Sequence, residues 1–272
     1  MALLIRTWNL FHGNAKPPER RAFLEPMIRL AVADDPDVLC LQEVPVWALA
    51  RLEEWSGMSA VGAVAQLPRL GPMPMPGRVG AAITSLNHGL FRSAFTGQAN
   101  AILLRPGSVV LQAQTAVLNG GLFREAQSRW LDLSLVARLA WPKERRIVQA
   151  VRTRLPDGRT MLVANLHATS YPADQRLADA ELLRAAVFAD ALAEPADITV
   201  LAGDFNIPAA RSATLEQLRG DDWAFSPPAD EGIDQVLVRG VRVRRLERWP
   251  RERRVVGGRV LSDHTPVDAR AA

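Results

Sequence analysis

Side chains able to bind a metal or move a proton recur at one kind of place in this sequence, the point where a short apolar run ends or begins. These side chains are Asn9, Glu43, Asn165, His167, Asp204, Asn206, Asp234, Asp263 and His264. Any one of them alone is typical of a strand end, because loops and turns commonly begin with Asp or Asn. Together they supply four carboxylates, three amides and two imidazoles. The set therefore predicts a site to which several strands deliver catalytic groups.

The chemistry of this set is that of a hard divalent cation acting on a phosphate ester. Carboxylate and amide oxygens suit Mg²⁺ or Mn²⁺, which offset negative charge on phosphate substrates. A zinc site is disfavoured, because Cys40 is the only cysteine and the histidines lack the close helical spacing of zinc proteases. The sequence also lacks the Gly-x-Ser-x-Gly elbow of serine hydrolases and the phosphate-binding loop of nucleotide-driven phosphoryl transfer. We therefore expect phosphoester hydrolysis that depends on Mg²⁺ or Mn²⁺.

The hydrophobic pattern predicts the elements that must position these groups. Continuous apolar runs predict strands at 2–8, 37–42, 197–202 and 233–239, and a turn at 156–158 predicts a hairpin. Helical spacing predicts helices over 23–31, 45–56 and 174–193. Residues 66–100, rich in proline, predict a long irregular connection, and most of 100–167 predicts strands. Many strands with a few helices imply sheets packed on each other and covered by helices.

Length and composition are those of an ordinary globular protein. The chain has 272 residues, 48% hydrophobic and 23% charged, enough to bury a large core, and no repeat or linker divides it. We therefore expect a single domain over residues 1–272. The first residues lack the basic start and cleavage site of a signal peptide, and no apolar run reaches membrane-spanning length. We expect a cytoplasmic monomer that does not insert into membranes.

Positive charge is concentrated in one short segment. The formal net charge is +4, yet residues 239–254 alone contain eight arginines against two glutamates, a net of +6. This segment, called here the arginine stripe, is compatible with a groove that follows a polyanion and equally with a solvated pair of strands. The sequence leaves both interpretations open.

Six short motifs, in order along the chain, resemble those of the endonuclease/exonuclease/phosphatase superfamily, the deoxyribonuclease-I-like proteins. They are TWN at 7–9, LQEV at 41–44, NLHATS at 165–170, GDFN at 203–206, IDQVLV at 233–238 and SDH at 262–264. The resemblance extends over nearly the whole chain. It implies an α+β fold, a four-layer α/β/β/α sandwich of two mostly antiparallel sheets flanked by helices, with these strand ends at one mouth.

The resemblance also implies a role for each motif residue. Glu43 corresponds to the principal metal ligand of the family, assisted by Asn9 and Asp263. Asp204 and Asn206 correspond to residues that orient or deprotonate the attacking water. The family pattern further implies phosphate-flanking imidazoles at His167 and at His264, the latter buttressed by Asp234. Asn100 resembles an asparagine near the phosphate, and either Arg145 or Arg146 occupies the place of a phosphate-binding arginine.

The leading hypothesis is a phosphodiesterase or nuclease with nucleic acid as its substrate. The alternative within the same superfamily is a phosphatase or a phospholipase-C-like hydrolase acting on inositol phosphates or sphingolipids. A non-catalytic adaptor that keeps the fold is a further alternative, disfavoured because every expected acid and imidazole is present. His12 and His88 match no motif and are interpreted as loop histidines, although His12 is close enough to Asn9 to line the mouth.

Overall fold

The computed structural model describes residues 2–272, apart from the side chains of Ser93 and Ala94. Within this part of the chain sixteen strands occur: β1 (Leu3–Asn9), β2 (Ala15–Lys16), β3 (Val38–Val44), β4 (Ser59–Gln66), β5 (Arg69–Leu70), β6 (Met73–Pro74), β7 (Gln98–Leu104), β8 (Val109–Val117), β9 (Ile147–Arg154), β10 (Thr160–His167), β11 (Ile198–Asp204), β12 (Asp234–Arg239), β13 (Val243–Arg248), β14 (Val255–Val256), β15 (Arg259–Leu261) and β16 (Val267–Ala271).

The same residues form eight α-helices: α1 (Leu24–Val32), α2 (Leu52–Ser56), α3 (Gly77–Leu86), α4 (His88–Phe95), α5 (Gly121–Trp130), α6 (Leu135–Ala140), α7 (Arg176–Asp190) and α8 (Ala213–Arg219). Short 3₁₀ helices lie at Phe11–Gly13, Val46–Arg51, Trp141–Lys143, Ala209–Arg211 and Arg251–Arg254. Across the described residues, no helix combines the length and apolar character needed to cross a membrane.

Two large sheets carry the fold. The first has the strand order β13-β16-β1-β3-β7-β4 and the second β12-β11-β10-β9-β8. Each contains one parallel pair, β1 with β3 and β10 with β11, and the remaining neighbours are antiparallel. Each parallel pair is joined by a connection containing a helix, α1 or α7, as a parallel crossover requires. The four parallel strands end at Asn9, Val44, His167 and Asp204, and β12 begins at Asp234 directly opposite Asp204.

The core lies in three layers between four layers of secondary structure. Side chains at alternate positions of β10 face opposite ways: Met161 and Val163 pack between the two sheets, whereas Leu162 and Leu166 pack under α7 and α8. The outer face of the first sheet packs in the same way under α1 and α2. This arrangement confirms the α+β sandwich of two sheets flanked by helices.

Asn165 ties the two sheets together. It lies on β10 with no exposed surface, and its Nδ2 donates to the main-chain oxygens of Leu41 on β3 and Ala101 on β7, at 2.9 and 3.0 Å. Its Oδ1 accepts from Nε2 of Gln42 at 2.7 Å. A buried amide with partners on both sheets fixes their relative position, because an alternative packing would leave these groups without hydrogen bonds.

We expect Asn165→Ala to lower the free energy of unfolding by about 3 kcal/mol, since it leaves buried polar groups unpaired and opens a small void. Denaturant unfolding monitored by circular dichroism measures this loss. The matched control is Gln114→Ala, which also replaces an amide side chain by a methyl group, but at an exposed position of β8. Its free energy of unfolding should stay within about 0.5 kcal/mol of that of the parent. Equal effects of the two substitutions would contradict a sheet-linking role for Asn165.

Two expectations about the elements are wrong, and a third is correct only in part. Residues 66–100 form β5, β6, α3 and α4 rather than an irregular connection, and α3 begins directly after Pro76, where proline is compatible with a helix start. Residues 129–139, expected as a strand, form the end of α5, a short loop and most of α6. Ala137 of α6 is buried in one cluster with Trp141 and Leu177, and this tertiary packing overrides local strand propensity. The helix expected over 45–56 is a 3₁₀ helix followed by the short α2.

Candidate functional site

The strand ends of both sheets meet at one edge of the sandwich, called here the mouth. It brings together Asn9, Glu43, His167, Asp204, Asn206, Asp234, Asp263 and His264. Parallel strands deliver their carboxyl ends to the same edge, and their antiparallel neighbour β12 begins there. The topology therefore converts residues far apart in sequence into one cluster.

Backbone conformation confirms that this edge is specially shaped. Glu43, Asn206, Ser262 and His12 have positive φ values of 52°, 51°, 59° and 53°, which non-glycine residues seldom adopt. At Glu43 the pairing of β3 with β7 also shifts register, forming a bulge that redirects the side chain. Such strain persists only where the surrounding structure imposes it, and it concentrates at functional sites.

Asn9 connects the two sheets at the mouth. Its Nδ2 donates to Asp204 Oδ2 at 2.9 Å and lies 3.3 Å from Glu43 Oε1, while its Oδ1 accepts from the main-chain nitrogen of Phe11 at 2.9 Å. The second oxygen of Asp204, Oδ1, accepts from the main-chain nitrogen of Asn206 at 3.0 Å. The amide thereby holds two carboxylates in fixed positions relative to each other.

Asp204 is able to exchange a proton near neutral pH. Burial raises its pKa, and although the charge of His264 opposes this, the charges of Asp234 and Glu43 reinforce it, so that the pKa reaches about 7. Burial is likewise the main reason that the pKa of Glu43 is raised. A carboxylate poised near neutrality suits general base chemistry.

His264 and Asp234 form a dyad. Nδ1 of His264 lies 2.9 and 3.0 Å from the two carboxylate oxygens of Asp234. Burial alone would lower the pKa of this imidazole, but the hydrogen bond and charge of Asp234, with the charges of Asp204 and Asp263, outweigh burial and raise it to about 10. His264 is therefore protonated at neutral pH. Its Nε2 faces the mouth, 3.8 Å from Asp204 Oδ2.

His167 is the neutral counterpart of His264. Its pKa lies well below the ordinary value, first because it is buried and then because Arg146 and His264 are positively charged nearby. Gln98 Nε2 lies 2.8 Å from its Nδ1, and Arg146 Nη1 lies 3.0 and 2.9 Å from Nδ1 and Nε2. Its Nε2 is 3.4 Å from Asp204 Oδ2. The mouth thus holds one charged and one uncharged imidazole.

The structure separates the two candidate arginines. Arg146 is 6% exposed and contacts His167, whereas Arg145 is exposed at the surface. Asn100 is 1% exposed and donates to the main-chain oxygen of Asn165, at 3.4 Å. Gln98, two residues earlier on the same face of β7, is the side chain that reaches His167.

The donor set at the mouth fits a hard divalent cation. Burial has raised the pKa values of Glu43 and Asp204, so ionising the carboxylates there costs free energy that a cation would offset. The side chains of Glu43 and Asp263 are 18% and 25% exposed, against 1% for Asp204, so they are the acids that an ion arriving from solvent meets first. Oxygen ligands of this kind suit Mg²⁺ or Mn²⁺.

A second group of candidate metal ligands also lies at the mouth. Asp204, Asp234 and His264 place their ligating atoms within 4.8 Å of one another. Nδ1 of His264 is directed at Asp234, so a cation bound by this group would compete with that hydrogen bond.

Three further residues shape the mouth: His12, which the sequence placed close enough to Asn9 to line it, and Ser262 and Arg254, to which the sequence gave no role. His12 Nε2 lies 3.3 Å from Glu43 Oε2, and its imidazole is neutral at pH 7, because burial lowers its pKa to about 4. Ser262 Oγ donates to the main-chain oxygen of Asn9 and accepts from the main-chain nitrogen of His264, at 2.7 and 3.0 Å. Arg254 binds the main-chain oxygens of Leu261 and His264. The only signal for His12 was its place three residues after Asn9.

Arg254 belongs to the arginine stripe, and much of that stripe is used internally. Arg239 pairs with Asp190, Arg245 with Glu247, Arg248 with Asp230, and Arg253 with Asp34. Arg248 also donates to the main-chain oxygen of Asp234 at 2.7 Å. Most of this segment therefore stabilises the fold and the dyad, which favours the structural interpretation over a polyanion groove.

Steric crowding explains why the first residue of the GDFN motif is a glycine. Gly203 has φ of +141°, and a Cβ built there would lie 1.9 Å from the main-chain oxygen of Leu166. Only glycine permits β10 and β11 to approach so closely at this point. The close approach brings Asp204 to within 3.4 Å of His167.

Comparisons with known proteins agree with this geometry. A sequence model described as the endonuclease/exonuclease/phosphatase family matches residues 7–264. No curated protein matches the sequence. An endonuclease/exonuclease/phosphatase from Bacteroides vulgatus has a similar structure, with a TM-score of 0.67 at 15% identity, covering 100% of this chain and 99% of that one.

Two further solved structures are similar over the whole of this fold. Mannosyl-6-phosphatase from Bacteroides thetaiotaomicron gives a TM-score of 0.63 at 16% identity, covering 99% of each chain. TDP2 from Caenorhabditis elegans gives 0.60 at 14% identity, covering 100% of this chain and 74% of that one. At these identities the likeness shows a shared fold.

Proposed function

Because the chain belongs to the endonuclease/exonuclease/phosphatase family, a family of hydrolases, we propose that it is a Mg²⁺- or Mn²⁺-dependent phosphodiesterase that cleaves nucleic acid, with both sheets acting as one domain. One observation carries the proposal: buried and half-buried carboxylates face a protonated imidazole across a single mouth. This arrangement supplies a base and an acid next to each other at the edge where a phosphate would bind.

Glu43, Asp263 and Asn9 hold the metal in this proposal. A bound divalent ion would neutralise charge on the phosphate oxygens and so stabilise the transition state. Asn9 donates to both Glu43 and Asp204, so the proposed metal ligand and the proposed base keep a fixed separation.

The remaining residues handle protons and position the phosphate. Asp204, with a pKa of about 7, orients and deprotonates the attacking water together with Asn206. Protonated His264 stabilises or protonates the departing oxygen, and Asp234 keeps it charged. His167, neutral and held by Gln98, donates a hydrogen bond to the phosphate, and Arg146 adds positive charge beside it.

Nucleic acid is favoured over smaller esters because cations extend from the mouth onto the surface. Lys143 and Arg145 are exposed on the segment that leads to Arg146, and neither has an ion-pair partner among the described residues. Such exposed cations suit contacts with the flanking phosphates of a polymer. A phosphomonoesterase is the second candidate, favoured by the whole-chain likeness to mannosyl-6-phosphatase.

A substrate panel tests the proposal directly. The purified protein with Mg²⁺ or Mn²⁺ is expected to cleave DNA or RNA, to lose that activity in excess chelator, and to regain it when the metal is restored. Duplex DNA, single-stranded DNA, RNA, a phospholipid diester and a sugar phosphate are compared under the same conditions. Intact nucleic acid with rapid hydrolysis of the lipid or sugar phosphate would overturn the substrate assignment.

A further inference from the structure

A second cavity opens beside the mouth. It has a volume of about 160 Å³ and lies between the Trp141–Lys143 turn, with Glu144 and Arg146 following it, and the segment from Thr169 to Tyr171. A cavity of about 150 Å³ is large enough to hold a benzene molecule. This cavity therefore has room for one ring of a substrate and little more.

Arg146 makes the cavity continuous with the catalytic groups. Its guanidinium lines the cavity, and its Nη1 also lies 2.9 Å from Nε2 of His167. The other wall begins at the motif segment that follows His167, where the main-chain oxygen of Ala168 accepts from Asn206 Nδ2 at 2.9 Å. A group in this cavity would therefore lie close to His167.

The cavity wall is rigidly built. Glu181 on α7 has no exposed surface, and its carboxylate accepts from the main-chain nitrogen and the hydroxyl of Thr169, both at 2.7 Å. It also accepts from Trp141 Nε1 at 2.5 Å, which ties the opposite wall to the same carboxylate. A buried glutamate joining both walls holds the cavity open at a fixed width.

The polar groups lining the cavity are not fully used by the protein. Arg146 is 6% exposed, yet its Nε is buried without a hydrogen-bond partner among the described residues. Its Nη2 pairs with Glu144 at 2.6 Å. Tyr171, the only tyrosine of the chain, is half-buried, and within residues 2–272 its hydroxyl has no hydrogen-bond partner. The Tyr171 hydroxyl is therefore available to a ligand in the cavity.

We propose that this cavity is a subsite for the base of the nucleoside attached to the scissile phosphate. The base stacks on Tyr171, its polar atoms meet the Tyr171 hydroxyl and Ser170, and Lys143 at the entrance faces the next phosphate of the strand. The inference rests on the proposed phosphodiesterase activity and adds to it a determinant of substrate choice. It also gives the buried Glu181 a role, since loss of the fixed wall would remove the stacking surface.

Two synthetic diesters with the same leaving group test the subsite. Thymidine 5′-(p-nitrophenyl phosphate) carries a nucleoside, methyl p-nitrophenyl phosphate carries a methyl group, and both release p-nitrophenolate. Tyr171→Ala is expected to raise KM for the thymidine ester about tenfold, the value of one stacked base, while kcat changes less than about twofold. Activity on the methyl ester should stay within about twofold of the parent. Tyr171→Phe keeps the aromatic ring, so its KM and kcat for both esters should resemble those of the parent.

A cavity-filling variant guards against loss of folding in Tyr171→Ala. Ser170 lies at the exposed rim, and Ser170→Trp blocks the cavity without removing a packed side chain. It should give the same selective rise in KM. Trp130 lies on the neighbouring α5 and is 84% exposed. Trp130→Ala is the matched surface control and should leave KM and kcat unchanged for both esters.

The outcomes separate the two hypotheses. Hydrolysis of both esters with no selective rise in KM in either variant would overturn the subsite and leave the phosphodiesterase standing. Failure of the parent protein to release p-nitrophenolate from either ester would overturn the proposed function, and the subsite with it.

Discussion

Replacing Glu43 with glutamine is expected to lower kcat/KM for a phosphodiester by about a thousandfold or more, because it removes one anionic ligand from the metal and the charge that faces it. The side chain keeps its size, so its packing against Asn9 and His12 should survive. Metal binding is measured independently by calorimetric titration with Mn²⁺, which should show a much weaker Kd in the variant.

The same substitution should leave the metal-free protein at least as stable as the parent. The pKa of Glu43 is raised in the folded chain, so its ionised form is penalised there, and the penalty grows as pH rises above the value for the unfolded carboxyl. Glutamine has no charge to bury. In chelator, Tm of Glu43→Gln should equal or exceed that of the parent, whereas added Mg²⁺ should raise Tm only in the parent.

Glu54→Gln is the matched control for this prediction. Glu54 is an exposed glutamate of α2 that pairs with Arg51 on the surface, far from any group assigned here to metal binding. The activity, Mn²⁺ affinity and Tm of the Glu54→Gln variant should all stay near those of the parent, because exposed ion pairs contribute little to stability. Full activity in Glu43→Gln, with undiminished Mn²⁺ binding, would remove Glu43 from the metal site.

Breaking the dyad should have an effect nearly as large. His264→Ala removes the acid and is expected to lower kcat by about a hundredfold to ten-thousandfold with an intact fold. Asp234→Asn should approach this loss although His264 remains, because without the carboxylate the burial of the imidazole lowers its pKa and it becomes neutral at working pH. The double substitution should lower kcat little further than either single substitution does, since both disable the same proton donor.

The pH dependence of Asp234→Asn provides the sharper readout. With the pKa of His264 at about 10 in the parent, activity should not fall from loss of this proton until alkaline pH. In the variant the alkaline fall should move towards acid pH and approach the acid fall set by Asp204, whose pKa is about 7, so that the pH profile of kcat narrows. Asp190→Asn, which breaks the exposed pair with Arg239, serves as control and should keep the parent profile. An unshifted profile in Asp234→Asn would exclude the dyad as the source of the acid.

Much of the fold could be predicted from the sequence, because its central strands carry strong local signals. Continuous apolar runs predicted β1, β3, β11 and β12 to within a few residues, and the six ordered motifs indicated the family, which the match over residues 7–264 confirms. The errors fell where local and tertiary preferences compete. The segment 129–139 was predicted as a strand, yet it forms the end of α5 and most of α6, with Ala137 buried against Trp141 and Leu177.

The sequence by itself determined which chemical groups the mouth contains, since acids, amides and imidazoles follow apolar runs whose strands carry them to one edge. Only the tertiary structure decided how those groups behave. It buried Arg146 and exposed Arg145, made His264 a cation and His167 neutral, and committed most of the arginine stripe to internal pairs. The physical reason is that pairing, burial and charge are set by neighbours distant in sequence, and electrostatic free energies depend on those distances rather than on residue type.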